Sequence, residues 1–197
     1  MTTGKEGLVE PSDSEVLTDS LAGRPEAFAD IVRRHSNAVH GYLARRAGRE
    51  TADELLGEVW LRAFRSRHTY DRRFPNARPW LYGIARNTLR AHWRLDRLDG
   101  AREAELVDDP WQDADARLDA LRQGPALRDA LGTLDAEDRE VLLLIAWERL
   151  TQAEVAISLG MPSGTVRWRL HRARKQLQNR LDDSSACRPL DARSKEV

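Results

Sequence analysis

The sequence predicts an all-α fold in which two small helical domains are joined by a flexible acidic linker, the second domain being a helix-turn-helix. Three observations carry this. Apolar residues recur at helical spacing, and no convincing alternation of the kind a strand requires interrupts them. The periodicity vanishes between Gly100 and about Pro125, where Asp, Glu, Gly and Pro accumulate. Charge is segregated along the 197 residues although its formal total is zero. Residues 62–97 carry ten Arg against Asp71 and Asp96, a net of +8, whereas residues 99–140 carry thirteen acids against five Arg, a net of −8. Residues 162–181 then hold five Arg and Lys175 and no acid. Two basic segments around an acidic one suggest two nucleic-acid surfaces and a connector of opposite character.

Residues 1–23 are acidic and poor in large apolar groups, and are read as a mobile leader. Helical spacing begins with Phe28, Ile31, Val32, Val39, Tyr42 and Leu43. The AGRE stretch at residues 47–50 breaks it. A second helix carries Leu55, Leu56, Val59, Trp60, Ala63 and Phe64 on one broad face. Residues 70–76 (YDRRFPN) read as a loop. A third helix is expected to start at an Asn76 N-cap, with Pro79 in the first turn, where its missing N–H costs no helical bond. Trp80, Leu81, Ile84 and Leu89 form its apolar side. The first domain thus spans residues 24–98, the linker 99–125, the second domain 126–181 and a disordered tail 182–197. Each domain is small enough that its core is modest, and a large partner could add stability.

The most specific local signal lies in residues 151–177 (TQAEVAISLGMPSGTVRWRLHRARKQL). Thr151 and Glu154 form a T-x-x-E capping box. Ala156 is small where two helices approach, and Gly160 suits a turn of positive φ. Ser163 is read as the next cap, and Val166, Leu170, Ala173 and Leu177 as a buried stripe. The face opposite offers Arg167, Trp168, His171, Arg172, Arg174 and Lys175, with Thr165 at its start. A helix-turn-helix reads a major groove with such a face. Arg can bind guanine bidentately while more distal cations hold phosphate. Taken alone, the motif fits a repressor or a response-regulator output domain equally well.

Other chemistry finds little support. No apolar run approaches the roughly 18 residues of a membrane span, and the N-terminus lacks the apolar core of a signal peptide. The lone Cys187 excludes a disulfide framework, and the five His show no metal-ligand spacing. No nucleophile–base–orienter set or phosphate-binding Gly loop suggests catalysis. The expectation is a soluble cytoplasmic protein without cofactor, metal or enzymatic activity.

Residues 52–64 (ADELLGEVWLRAF), then 77–94 (ARPWLYGIARNTLRAHWR), then the helix-turn-helix with GTVRWRLHRAR resemble a sigma-70-type factor of the extracytoplasmic-function (ECF) group. The resemblance runs from about Arg24 to Leu181. It implies a subunit that binds core RNA polymerase, opens promoter DNA and directs initiation. By this resemblance Asp53, Glu54 and Glu58 dock on the β′ coiled coil, while Leu55 and Trp60 fill the core; Gly57 departs from the usual Gln. Tyr70, Arg86, Asn87, Arg90 and Arg94 fall at the melted −10 element, where extruding a base costs a few kcal/mol that pocket contacts must offset. Trp80 and Tyr82 are read as core, and Trp93 as either stacking or packing. Positions touching the −35 element fall on Arg167, Trp168, His171 and Arg172, with Trp168 in place of the common Ser, either reading bases or packing. The second domain would also dock on the β flap. The linker would thread the polymerase cleft towards the RNA exit channel. The resemblance admits an anti-sigma factor, of which the sequence carries no sign. The alternative is a stand-alone helix-turn-helix repressor or activator.

Overall fold

A computed structural model describes residues 10–98 and 124–186, which belong to two compact units. Every regular element among the described residues is helical. Residues 99–123 of the acidic linker, Met1–Val9 and residues 187–197 lie outside them, whereas Gly124 and Pro125, expected to belong to the linker, begin the first helix of the second unit.

The first unit opens with α1 (Asp13–Leu21), which corrects the expectation of a mobile leader for these residues. Ser12 and Glu15 form a reciprocal capping box at its start. Val16 and Leu17 are buried. Both reach the core, while Asp13, Ser14, Glu15 and Thr18 are hydrogen-bonded. A 3-10 turn at Pro25–Ala27 leads into α2 (Phe28–Ser66). The break expected at residues 47–50 is a kink at Gly48, whose φ of 78° and ψ of 166° lie in a region essentially restricted to glycine. A second 3-10 turn (Arg67–Thr69) and a loop lead to α3 (Arg78–Leu98).

Ile31, Val39, Tyr42, Leu43, Val59, Leu81, Tyr82 and Leu89 form the core where α2 folds against α3. Tyr42 and Tyr82 stack at 5.0 Å, so Tyr82 is core as expected. Leu55 and Trp60 are only half-buried, Trp60 meeting Phe28 edge-on at 6.3 Å. Trp80 is likewise half-buried, its indole N–H donating to Thr69 Oγ1 at 3.3 Å. The cap of α3 differs from expectation by one residue, falling at Ala77 instead of Asn76. Ala77 carbonyl accepts the first helical bond, from Leu81, and Asn76 Oδ1 accepts the Arg78 N–H at 3.0 Å. Asn76 therefore makes an Asx turn just before the cap position.

The second unit comprises α4 (Gly124–Gly132), α5 (Ala136–Ala146), α6 (Gln152–Leu159) and α7 (Ser163–Ala186). Leu131, Leu134, Leu143 and Ala173 share one apolar cluster, with Leu127, Leu142, Trp147 and Leu177 against it. Arg139 donates to the carbonyls of Leu131, Gly132 and Leu134, tying the end of α4 and the turn after it to α5. The last helix runs to Ala186, into the segment expected to be a disordered tail.

Candidate nucleic-acid interface

The helix-turn-helix is α6, its turn and α7. Thr151 Oγ1 accepts the Glu154 N–H, and Glu154 Oε2 accepts the Thr151 N–H at 2.8 Å. Gly160 ends α6 at φ 62° and ψ 37°, and Met161 N–H returns to the Ala156 carbonyl at 3.1 Å. A Cβ at this left-handed position would be strained, which is why the turn uses glycine. Ser163 differs from expectation: the Pro162 carbonyl accepts the first helical bond, from Val166, so Ser163 is the first helical residue and not the cap. Val166, Leu170 and Ala173 are buried and Leu177 is half-buried, so this face of α7 carries the core.

Arg167, Trp168, His171, Arg172, Arg174 and Lys175 are all exposed on α7, and Thr165 is half-buried at its beginning. Trp168 keeps 54% of its surface, an unusual exposure for an indole. The Arg172 guanidinium stands 4.4 Å from its ring centroid, within the range of a cation–π contact. Arg172 Nε also donates to Asp138 Oδ2. Hydrogen bonding to that carboxylate, chiefly, holds the Arg172 pKa above its ordinary value. Asp138, on α5, is 0% exposed and accepts a second bond from Arg169 Nη1 at 2.9 Å. Arg169 pairs further with Glu137 and Asp135. An acid on a neighbouring helix thus aims Arg172 across Trp168. Sequence reasoning missed Asp138 and Arg169. Their partners lie 31 and 34 positions apart, beyond any local pattern.

On the first unit, Asn87, Arg90 and Arg94 are exposed along one stripe of α3, spaced to share a helix face. Arg86 is half-buried beside them, as is Trp93. Tyr70 departs from its expected place. It is 6% exposed, its hydroxyl donates to the Phe74 carbonyl, and its ring meets Trp80 edge-on at 5.6 Å. Burial, with the charges of Asp13 and Asp71, pushes its pKa up to about 12. Tyr70 is therefore held inside the loop, against Trp80 and the Phe74 carbonyl. The loop's exposed side chains include Arg72 and Arg73, the latter bound to Asp71.

The three acids of α2 stand differently. Asp53 is exposed with Oδ1 2.8 Å from His40 Nε2, across the Gly48 kink. Glu58 is half-buried and accepts from Arg62 Nε at 2.5 Å. Glu54 is exposed. Gly57 and Leu61 fall on the same helical stripe as Glu54 and Glu58, and Leu61 keeps 42% of its surface. An exposed leucine among acids was not singled out by periodicity, which assigns it to no core face.

Among the described residues no group of three His, Cys, Asp or Glu could hold a metal ion, and no helix is long and apolar enough to cross a membrane.

Residues 31–97 match the family "Sigma-70 region 2", and residues 125–177 match "Sigma-70, region 4". The ECF RNA polymerase sigma factor SigE of Mycolicibacterium smegmatis is 31% identical, over 90% of this chain and 72% of that protein. The RNA polymerase sigma factor CarQ of Myxococcus xanthus is 33% identical, over 82% and 92% respectively. The solved structure of CnrH in complex with the cytosolic domain of CnrY superposes with a TM-score of 0.61 at 27% identity, covering 87% of this chain and 97% of that one. Two helical units, a helix-turn-helix in the second and both family regions in order lead to one conclusion: the chain belongs to the sigma-70 family of RNA polymerase sigma factors, in the ECF group, and its function is in transcription initiation.

Proposed function

We propose that the two units divide the work of promoter recognition. The first, residues 24–98 together with α1, docks on the β′ coiled coil of core polymerase through Asp53, Glu54 and Glu58, and presents Asn87, Arg86, Arg90 and Arg94 to the melted −10 element. The second docks on the β flap and reads the −35 element with Thr165, Arg167, Trp168, His171, Arg172, Arg174 and Lys175. The polymerase supplies nucleotidyl transfer in the cytoplasm; this subunit supplies address and strand opening. The acidic linker follows the polymerase cleft. An anti-sigma factor is a further partner, a reading supported by CnrH having been solved with a second protein.

The observation that carries this reading is the presence of two separate cationic helical faces, one on each unit. Each alone would bind weakly, and anchoring both on one enzyme raises the effective concentration of the second contact. A stand-alone helix-turn-helix regulator would have no use for the first unit. Direct readout separates the α7 residues into two kinds. Arg167→Ala should relax preference at one −35 position by about 1–3 kcal/mol, whereas Lys175→Ala should weaken all promoters alike and flatten the salt dependence. Promoter selection with holoenzyme at two salt concentrations measures both. Equal effects of the two substitutions on every sequence would contradict the assignment.

A further inference from the structure

The first turn of α1 is tied to the loop that leads into α3. Ser14 Oγ donates to the Arg72 carbonyl at 2.9 Å, and Asp13 N–H donates to the Pro75 carbonyl at 3.2 Å. The Asp13 carboxylate completes the attachment. Its Oδ2 accepts the Ala77 N–H at 2.9 Å and lies 2.7 Å from His35 Nε2, while Oδ1 accepts from Arg34 Nη1 at 3.0 Å. Arg34 also donates to the Pro11 carbonyl at 2.7 Å. Asp13 is buried, as are His35 and Ala77.

The chemistry of this junction is specific. The first N–H groups of a helix have no intrahelical acceptor, and alanine at the cap position brings none of its own. Asp13 supplies one from a different helix, with a negative charge where the dipole of α3 favours it. The same carboxylate is fixed to α2 by Arg34 and His35. One side chain therefore joins α1, α2 and the start of α3, and the loop between Tyr70 and Ala77 is held at Arg72, Pro75 and Ala77.

We propose that α1 is a positioning element for −10 recognition, with Asp13 and Ser14 as the positioning residues that fix the 70–77 loop and the first turn of α3. They touch no DNA. They set the angle at which α3 presents Asn87, Arg90 and Arg94 to the opened strand. This rests on the assignment of α3 to the −10 element, so Asn87→Ala serves as the control for that assignment.

The experiment uses full-length protein assembled with core polymerase and promoter libraries randomised at the −10 or −35 element. Three readouts are taken: core affinity, −10 base preference and −35 base preference. Asp13→Ala is expected to flatten −10 preference by about tenfold or more, as misplacement of a recognition group by an ångström can, with core affinity and −35 preference within about twofold of the parent. Ser14→Ala removes one exposed tie without touching the buried carboxylate, and should produce a smaller loss confined to the same element. If Asp13→Ala lowers all three readouts together, Ser14→Ala decides: a loss confined to −10 supports the proposal, and no such loss overturns it. Unchanged −10 preference in both variants, with Asn87→Ala impaired, overturns the proposal and leaves the −10 assignment standing. Unchanged preference in Asn87→Ala overturns both.

Discussion

Asp138 accepts from Arg169 and Arg172 with no exposed surface of its own, and Asp13 accepts from Arg34, Ala77 and the His35 ring while buried at the start of α1. Burying a carboxylate is costly unless its oxygens are occupied, and removing one partner leaves the remaining charge exposed to that cost. Both acids consequently fix the side chains around them more firmly than surface pairs could. For Asp13 the balance is visible in its titration. Burial opposes ionisation, but the His35 hydrogen bond, the Ala77 N–H, the charge of His35 and Arg34 together hold its pKa down to about 2 from 3.8. A lowered folded-state pKa means that the charged form stabilises the fold above the unfolded pKa. That stabilisation disappears as pH falls through the folded value. It should amount to about 2 kcal/mol at neutral pH and fade between about pH 4 and pH 2. Urea unfolding of the parent and of Asp13→Asn, compared at each pH, isolates this group from other carboxylates. The stability gap should shrink as pH falls from about 4 to about 2; a gap that widens over that interval would contradict the assignment.

Elements were legible where their signals are local. The T-x-x-E box of Thr151 and Glu154 and the turn at Gly160 identify α6 and the start of the recognition helix from neighbouring residues alone. The kink in α2 was readable for the same reason, since Gly48 sits in a polar interruption of the apolar pattern. α1 was not, although Ser12 and Glu15 carry the same box. Its surroundings are acidic and its apolar content small, and what secures it are bonds to residues 21 to 64 positions away. The burial of Tyr70 was not legible for a related reason: its ring is drawn inward by Trp80 and its hydroxyl by the Phe74 carbonyl. A separate consequence concerns the docking face of α2. A Cβ added to Gly57 would meet nothing within 4 Å, and the residue is exposed within the helix. Gly57→Ala should therefore stabilise the first unit by about 1 kcal/mol through helix propensity. Core affinity should change little, because alanine adds one methyl group to an open surface. Denaturant unfolding and a core-binding titration measure the two effects, and destabilisation would show that the glycine conformation is required there.

At the scale of the whole molecule, composition conceals what order reveals. A formal charge of zero covers two cationic helical segments separated by an acidic one. Helical class, the division into two units and the basic face of α7 all follow from periodicity and charge order. The pairings that orient Arg172 and the start of α3 do not, because they join residues brought together only by folding. In the proposed function both cationic units address a promoter while anchored on polymerase. The most direct measurement of this is co-purification of the full chain with core RNA polymerase, followed by transcription from a randomised promoter library. A stable holoenzyme is expected, with start sites that share two separated sequence elements absent from the products of core alone. Core polymerase that neither retains the chain nor acquires new start-site selectivity would contradict it.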